Sequence, residues 1–364
     1  MKPIIALALF CFTAFASTQD AAPQAKRIPA PGAVLVEVNK IWDKGNHNAF
    51  TDLVRFKGRW FCTFREGEAH VSPNADIRIL ASKNGRDWES ASVIEMKGHD
   101  LRDPKLTVSP DGKWLEVLGG DVLREGNKSA TSTRNFIARS KDGVSWSRFD
   151  YVGPDQEWLW RITWHKKKAY GVAYDVKPTT RTAGTFSSKL YVSEDGLKFD
   201  QLAAPLCEEA GANEATIRFG KDGTAYVLQR RDGKAGANSA FLGTSQAPYK
   251  LWTWKDLGVF FGGPNFIQIP DGRWIAVGRM LRPNEDGKNV PRTVVCELDV
   301  KEGKLRPLLD LPSGGDTSYA GLQYHGDLMV SYYSSHEGKT SIYLAKVKLP
   351  KAEYNPFPKR GVTY

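Results

Sequence analysis

Between Phe56 and Tyr333 the chain repeats one pattern six times: a polar turn, usually with glycine, followed by a short run of mostly apolar residues. The copies read FKGRWFCTF, PDGKWLEVL, HKKKAYGVAY, KDGTAYVLQR, PDGRWIAVGR and YHGDLMVSYY. Glycines stand at 58, 112, 223, 272 and 326, and Lys167 holds the equivalent place in the third copy. Successive spacings are therefore 54, 55, 56, 49 and 54 residues. A period of that length, carried by strand-and-turn units, predicts radial repetition of small sheets. The expected fold is all-β: a six-bladed β-propeller of four-stranded antiparallel blades. An N-terminal strand, Val34 to Ile41, is expected to pair with the last blade near Thr340 to Leu349.

A second repeat runs in step with the first. Ser82-Lys-Asn-Gly85-Arg-Asp-Trp88, Ser140-Lys-Asp-Gly143-Val-Ser-Trp146 and Ser193-Glu-Asp-Gly196-Leu-Lys-Phe199 share one template, and a degraded fourth copy begins at Ser245. Asp or Asn closes such a turn by side-chain bonds to the backbone, glycine supplies positive φ, and the aromatic plugs it from below. Asp142 and Asp195 are thus structural, not catalytic.

Successive strands of a blade are antiparallel, so the start of the first and the end of the second share one rim of the central channel. The first strands begin at His47-Asn48, Arg102-Asp103-Pro104, Trp160-Arg161, Asn213-Glu214, Pro264-Asn265 and Ser318-Tyr319. The second strands end at Arg65 and Glu66, Asp121, Asp175, Arg230 and Arg231, Arg279, and Tyr333 with His336. Arginines interspersed with carboxylates describe a pocket for an anionic or highly hydroxylated ligand. Trp158 and Trp160 are candidates to stack on a sugar face, although strand alternation buries one of them. The loop from Arg65 through Glu68 to His70 carries more ionisable groups than an ordinary turn needs.

Composition adds a compartment. MKPIIALALFCFTAFA has one Lys, an apolar run and a small-x-small end, so residues 1–18 read as a secretory signal and 19–32 as a Pro/Ala-rich linker. The propeller is assigned 33–350, with a tail at 351–364. The expected location is secreted or periplasmic, without a membrane span. Cys62, Cys207 and Cys296 are too widely spaced for a disulfide framework or metal cluster. The formal charge is +10 and falls by one when Lys2 leaves. The basic residues are scattered, and the one run, Lys166 to Lys168, lies on a turn, so nucleic acid is not the expected partner. Asn127-Lys-Ser is a formal glycosylation sequon.

Several segments resemble the sialidase (neuraminidase) superfamily, over about Val34 to Leu349. The Ser-x-Asp-Gly turns are similar to its Asp boxes, and Arg102-Asp103-Pro104 matches its second-blade Arg-Asp-Pro signature. Asn213-Glu214-Ala-Thr-Ile-Arg, followed by Gln-Arg230, resembles the segment with the family's Glu and a triad Arg. Gly-Gly-Asp316-Thr-Ser318-Tyr319 resembles that of its nucleophilic Tyr, and Arg292 falls where the last triad Arg is expected. The resemblance implies a retaining exo-glycosidase for a terminal acidic sugar. Tyr319 would attack, Glu214 would take its proton, and Arg230 and Arg292 would hold the substrate carboxylate. The partner would be a glycan or glycoconjugate, and no metal or organic cofactor is called for. Arg65, Arg102, Asp103, Asn48, Arg161 and Arg279 complete the expected substrate-binding set. Two departures stand out. His47-Asn48 replaces the first triad Arg, and the loop that should carry an acid/base Asp offers Glu68 or His70 instead. Two other readings remain open: a non-catalytic glycan-binding propeller, or a propeller glycosidase or lyase of different specificity.

Overall fold

The computed structural model describes residues 32–351, apart from 126–129, 208, 210 and 234–237. The signal segment, nearly all of the linker and of the tail, and the sequon lie outside the described residues. The described chain is a β-propeller of four-stranded antiparallel blades. Four sheets stand alone. The first comprises β10 (Glu157–His165), β11 (Lys168–Asp175), β12 (Ser188–Ser193) and β13 (Asp200–Cys207). The next two are β14 (Ala212–Phe219), β15 (Ala225–Arg231), β16 (Phe241–Ser245) and β17 (Thr253–Asp256), then β18 (Gly262–Gln268), β19 (Trp274–Pro283), β20 (Asn289–Asp299) and β21 (Lys304–Asp310). The fourth joins β22 (Thr317–His325), β23 (Asp327–Ser334) and β24 (Ser341–Lys348) to β1 (Val34–Trp42), with Val34 opposite Lys348. That is the expected closure by the N-terminal strand.

The remaining strands correct the expectation of six separate blades. β2 (His47–Phe56), β3 (Arg59–Gly67), β4 (Ala75–Ser82) and β5 (Glu89–Ile94) share one eight-stranded sheet with β6 (His99–Val108), β7 (Leu115–Arg124), β8 (Ala130–Ser140) and β9 (Asp150–Val152). The cause is local. β4 and β6 meet at one parallel pairing, Ala75 with Asp100. The first strands β2, β6, β10, β14, β18 and β22 contact one another in that order, and β22 returns to β2.

Turn chemistry explains the repeats. Gly58, Gly112, Gly223, Gly272 and Gly326 all have positive φ, and Lys167 adopts φ 66° in their place. In the second repeat the Oδ1 atoms of Asn84, Asp142 and Asp195 each accept two following backbone N–H groups. The serine hydroxyls accept from Gly85, Gly143 and Gly196. Apolar clusters form the core; in one of them Phe61, Ile77 and Ile79 from β3 and β4 pack with Val117 and Phe136 from β7 and β8, joining the two halves of the eight-stranded sheet. Cys62 and Cys296 are buried, and burial pushes both thiols up. Among the described residues no helix is long and apolar enough to cross a membrane.

One feature was invisible in the repeats. All six first strands shift register near their start, as between Ala49 and Asp52, Arg102 and Lys105, and Ser318 and Gly321. Such bulges bend the strand and re-aim its side chains. Phe50 (φ 64°), Asp103 (φ 48°), Ser318 (φ 98°) and Tyr319 (φ 51°) lie within them in the left-handed region, where each non-glycine residue costs about 1–3 kcal/mol.

Candidate active site

Three of these strained residues, Phe50, Asp103 and Tyr319, line a cavity of about 230 Å³. Glu214, Arg102, His70, Arg124 and Trp158 also face it. The Tyr319 hydroxyl donates to Glu214 Oε1 at 2.5 Å. Arg230 Nη1 donates to the Tyr319 oxygen at 3.0 Å and pairs with Glu214 Oε2 at 2.8 Å. The backbone N–H of Gly263 donates to Glu214 Oε2 at 3.0 Å. Burial, then the Glu214 charge, pushes the Tyr319 hydroxyl well above its ordinary value, while Arg230 and Arg279 pull it down. Burial lowers Arg230, but Glu214, Tyr319 and Asp232 outweigh it and leave the guanidinium firmly charged. The arrangement is a neutral phenol with its proton aimed at a carboxylate and a fixed cation at its oxygen. A phenolate forming there would be stabilised without reorganisation.

Asp316 organises a second group. Its Oδ2 meets His70 Nδ1 at 2.8 Å and His47 Nε2 at 3.2 Å, and its Oδ1 accepts from the Tyr333 hydroxyl at 2.8 Å. Burial raises the Asp316 carboxyl, but the bonds from His47, His70 and Tyr333 dominate and hold it far below its usual range. His70 is thereby oriented through Nδ1 at the edge of the cavity. His47, His70 and Asp316 place one ligand atom each within 4.8 Å of one another, the one such group among the described residues that a metal ion would fit.

Asp103 differs from both groups. Its Oδ1 is buried with no hydrogen-bond partner. Burial, with a contribution from Glu214, raises its pKa against the opposing pull of Arg102 and Lys105.

The structure brings together Tyr319, Glu214, His70, Arg102, Asp103 and Arg230, with the Arg279 guanidinium 5.7 Å from the Tyr319 ring centre. Other expectations are corrected. Glu68 accepts from Asn46 at 2.5 Å and lines a separate cleft with Trp42 and Arg78, because its loop turns it away from the channel. Arg65 is fully buried and donates to Asp100, to the Ala69 carbonyl and to Ser72, so it holds the loop that presents His70. Asn48 is buried and donates to the carbonyls of Gly45 and Thr340, which ties the first strand to the β23–β24 turn. Arg161 is buried against Asp52 at 2.7 Å. Arg292 donates to the Ser313 carbonyl and braces the turn before Tyr319. Two residues escaped the sequence reading. Asp316 stood unread inside the Tyr319 segment, and Arg124 was missed because β7 runs three residues past Asp121.

Comparison with protein-family profiles and with curated proteins returns no match. Solved structures do match. A protein of unknown function from Dyadobacter fermentans is 19% identical, with a TM-score of 0.72 over 88% of this chain and 100% of that one. The sialidase of Trypanosoma rangeli in complex with sialic acid is 14% identical, with a TM-score of 0.63 over 87% of this chain and 59% of its own. An α-L-arabinofuranosidase from Fusarium graminearum, bound to an iminosugar inhibitor, is 15% identical, with a TM-score of 0.65 over 87% and 98% of the two chains. Likeness at these identities establishes the propeller fold.

Proposed function

We propose that the protein is a secreted glycoside hydrolase that removes a terminal acidic sugar with retention of configuration. The observation that carries this is the 2.5 Å bond from the Tyr319 hydroxyl to Glu214, with Arg230 at the same oxygen, facing an open cavity. Tyr319 attacks the anomeric carbon and its proton passes to Glu214. His70, oriented by Asp316, gives a proton to the departing glycosidic oxygen as that bond breaks. In the second half, water attacks the glycosyl–tyrosine bond, His70 takes its proton, and Glu214 returns the proton to Tyr319. A phenol suits an acidic sugar because it approaches without negative charge. Similarity of fold to a sialidase, an arabinofuranosidase and an arabinanase supports a propeller glycosidase in general terms. We read the eight-stranded sheet as two four-stranded blades joined at one bridge, which makes six, and the Ser-x-Asp-Gly turns as Asp boxes.

The sugar need not be sialic acid. Arg230 is already engaged by Glu214, Tyr319 and Asp232, and Arg292 by Ser313, so the expected carboxylate clamp is occupied by the protein itself. The test is hydrolysis of a panel of aryl glycosides of sialic acid, uronic acids and neutral sugars by the wild type, Tyr319→Phe and Glu214→Gln. Turnover lost in both variants with glycan binding kept supports the mechanism. Wild-type binding without turnover of any member would sink it in favour of a glycan-binding propeller.

A further inference from the structure

Three side chains from distant parts of the chain converge on one oxygen atom. His47 opens β2, His70 lies in the loop after β3, and Asp316 immediately precedes β22. His70 Nδ1 and His47 Nε2 both reach Asp316 Oδ2, at 2.8 and 3.2 Å, with their rings nearly perpendicular at 80°. Each of the three is fixed from behind. Arg102 Nη1 donates to the His70 carbonyl at 2.8 Å, and His47 is buried at 8% exposure. The Tyr333 hydroxyl donates to the other Asp316 oxygen, and the Asp316 N–H donates to Ser335 Oγ at 2.9 Å. Oδ2 is thereby left to the two imidazoles. In a four-coordinate site with bonds of about 2.0–2.2 Å, ligand atoms stand roughly 3.3–3.5 Å apart. The three atoms here lie within 4.8 Å of one another, and the two contacts to Oδ2 are slightly shorter than that spacing. A cation therefore enters with a small movement of His70, whose side chain is 54% exposed.

We propose that His47 Nε2, His70 Nδ1 and Asp316 Oδ2 form a binding site for a divalent transition-metal cation of the Zn²⁺ class, at the edge of the Tyr319 cavity. Donor chemistry selects the class. Two imidazole nitrogens and one carboxylate suit Zn²⁺, Co²⁺ or Ni²⁺, whereas Ca²⁺ and Mg²⁺ take shells of oxygen. Arg279 Nη1 stands 3.9 Å from Asp316 Oδ1, and its charge disfavours a hard cation held by electrostatics alone. Tyr333 supplies the outer hydrogen bond that keeps a ligating carboxylate oriented. Three protein ligands leave a fourth position, which water or a ligand oxygen fills in sites of this kind. His70 is the ligand that lines the cavity, so the cavity is the route to that position. The site goes beyond the hydrolase reading and does not depend on it. A cation on Nδ1 withdraws His70 from the proton transfers assigned to it above, so Zn²⁺ acts there as an inhibitor.

The untagged full chain, stripped with a chelator, is titrated with Co²⁺ and followed by its visible ligand-field bands, then with Zn²⁺ by calorimetry. One cation per chain should bind, with the intense bands of a four-coordinate ion that one equivalent of Zn²⁺ abolishes. His70→Gln alters an exposed loop residue and should weaken Zn²⁺ binding by about 100-fold or more, and Tyr333→Phe by about tenfold. Circular dichroism spectra matching the wild type show that both variants remain folded. Absence of the Co²⁺ bands overturns the proposal, and so does Zn²⁺ binding that His47→Gln and His70→Gln both leave unchanged. Zn²⁺ binding that also halts glycoside turnover supports both the site and His70 as the proton donor. Binding lost in His70→Gln, with wild-type turnover indifferent to Zn²⁺, keeps the site and removes His70 from the mechanism. Turnover by a chain that takes up no cation keeps the hydrolase and overturns the site.

Discussion

Lys105 provides the sharpest test of how the interior of the propeller treats charge. It is 2% exposed, its ammonium lies 4.8 Å from the centre of the Trp160 ring, and its contacts with the carbonyls of Asp103 and Pro104 are long, 3.4 and 3.3 Å. Burial brings it down from 10.5 to about 8; Asp103, Asp52 and Glu214 resist this and Arg161 adds to it. Between pH 8 and 10.5 the folded chain has released the proton and the unfolded chain still holds it, so stability rises with pH through that window. At pH 7 both states are protonated, and the shift amounts to roughly 3 kcal/mol of destabilisation. Lys105→Met keeps the volume and removes the charge. It should therefore stabilise the protein at pH 7 by about 1–3 kcal/mol, with the advantage fading by pH 10.5. Urea unfolding of both proteins at pH 7, 8.5 and 10 measures it, and tyrosine titration cancels in the difference. A methionine variant less stable than wild type at pH 7 would show that attraction to the three carboxylates outweighs burial. If the charge is kept for its field on Glu214, the same variant loses activity as it gains stability.

The other expectations concern the frame of the site. Arg65→Met should cost about 3–5 kcal/mol in chemical denaturation, since it breaks a buried pair and two loop bonds. Glu68→Ala should leave stability within about 0.5 kcal/mol and hydrolysis unchanged; a dead Glu68 variant would return that residue to the mechanism. Gly143→Ala should destabilise by about 3 kcal/mol, because φ is 76° and a Cβ there would sit 2.2 Å from Phe61. Asp316 is held below its unfolded value, so it stabilises the fold above about pH 4 and that contribution is lost on further acidification. The stability difference between wild type and Asp316→Asn should then shrink from pH 5 to pH 3, and the variant's pH–rate profile should shift because His70 loses its orienting partner. An unchanged profile would remove His70 from proton transfer.

Turn chemistry made much of the frame legible. The phrase around Gly58 recurs because a two-strand hairpin needs positive φ at that point, and Lys167 betrays the same geometry without glycine. Polar strand ends were legible too, and they led to Glu214, Tyr319 and Arg230. Strand ends alone could not say which arginine faces the channel. Arg65 and Arg230 both end second strands but differ by one residue in register: Arg65 pairs with Ala49 as Arg231 pairs with Ala212, and Arg65 is taken up by Asp100 from the next run of strands. That pairing crosses 35 residues and leaves no mark in local pattern. Arg124 is hidden because β7 runs three residues past Asp121, the polar residue that marks its end in the sequence.

The deeper obstacle is the bulge. Strand alternation assigns side chains to faces by counting, and one inserted residue reverses the count. Each first strand inserts its extra residue near its start, where the chemistry lies. Phe50, Asp103 and Tyr319 therefore reach the cavity from backbone conformations that counting does not contain. Local strain is tolerated where the surroundings over-determine it, and here they do: Tyr319 is fixed by Glu214 and Arg230, and its carbonyl accepts from Thr51 on the neighbouring strand β2. The same bonds that hold the strained tyrosine also set its chemistry. Loosening Glu214 or Arg230 should thus disturb both the position of Tyr319 and the destination of its proton, and the two effects will separate only where Glu214→Gln keeps the hydrogen bond while removing the base.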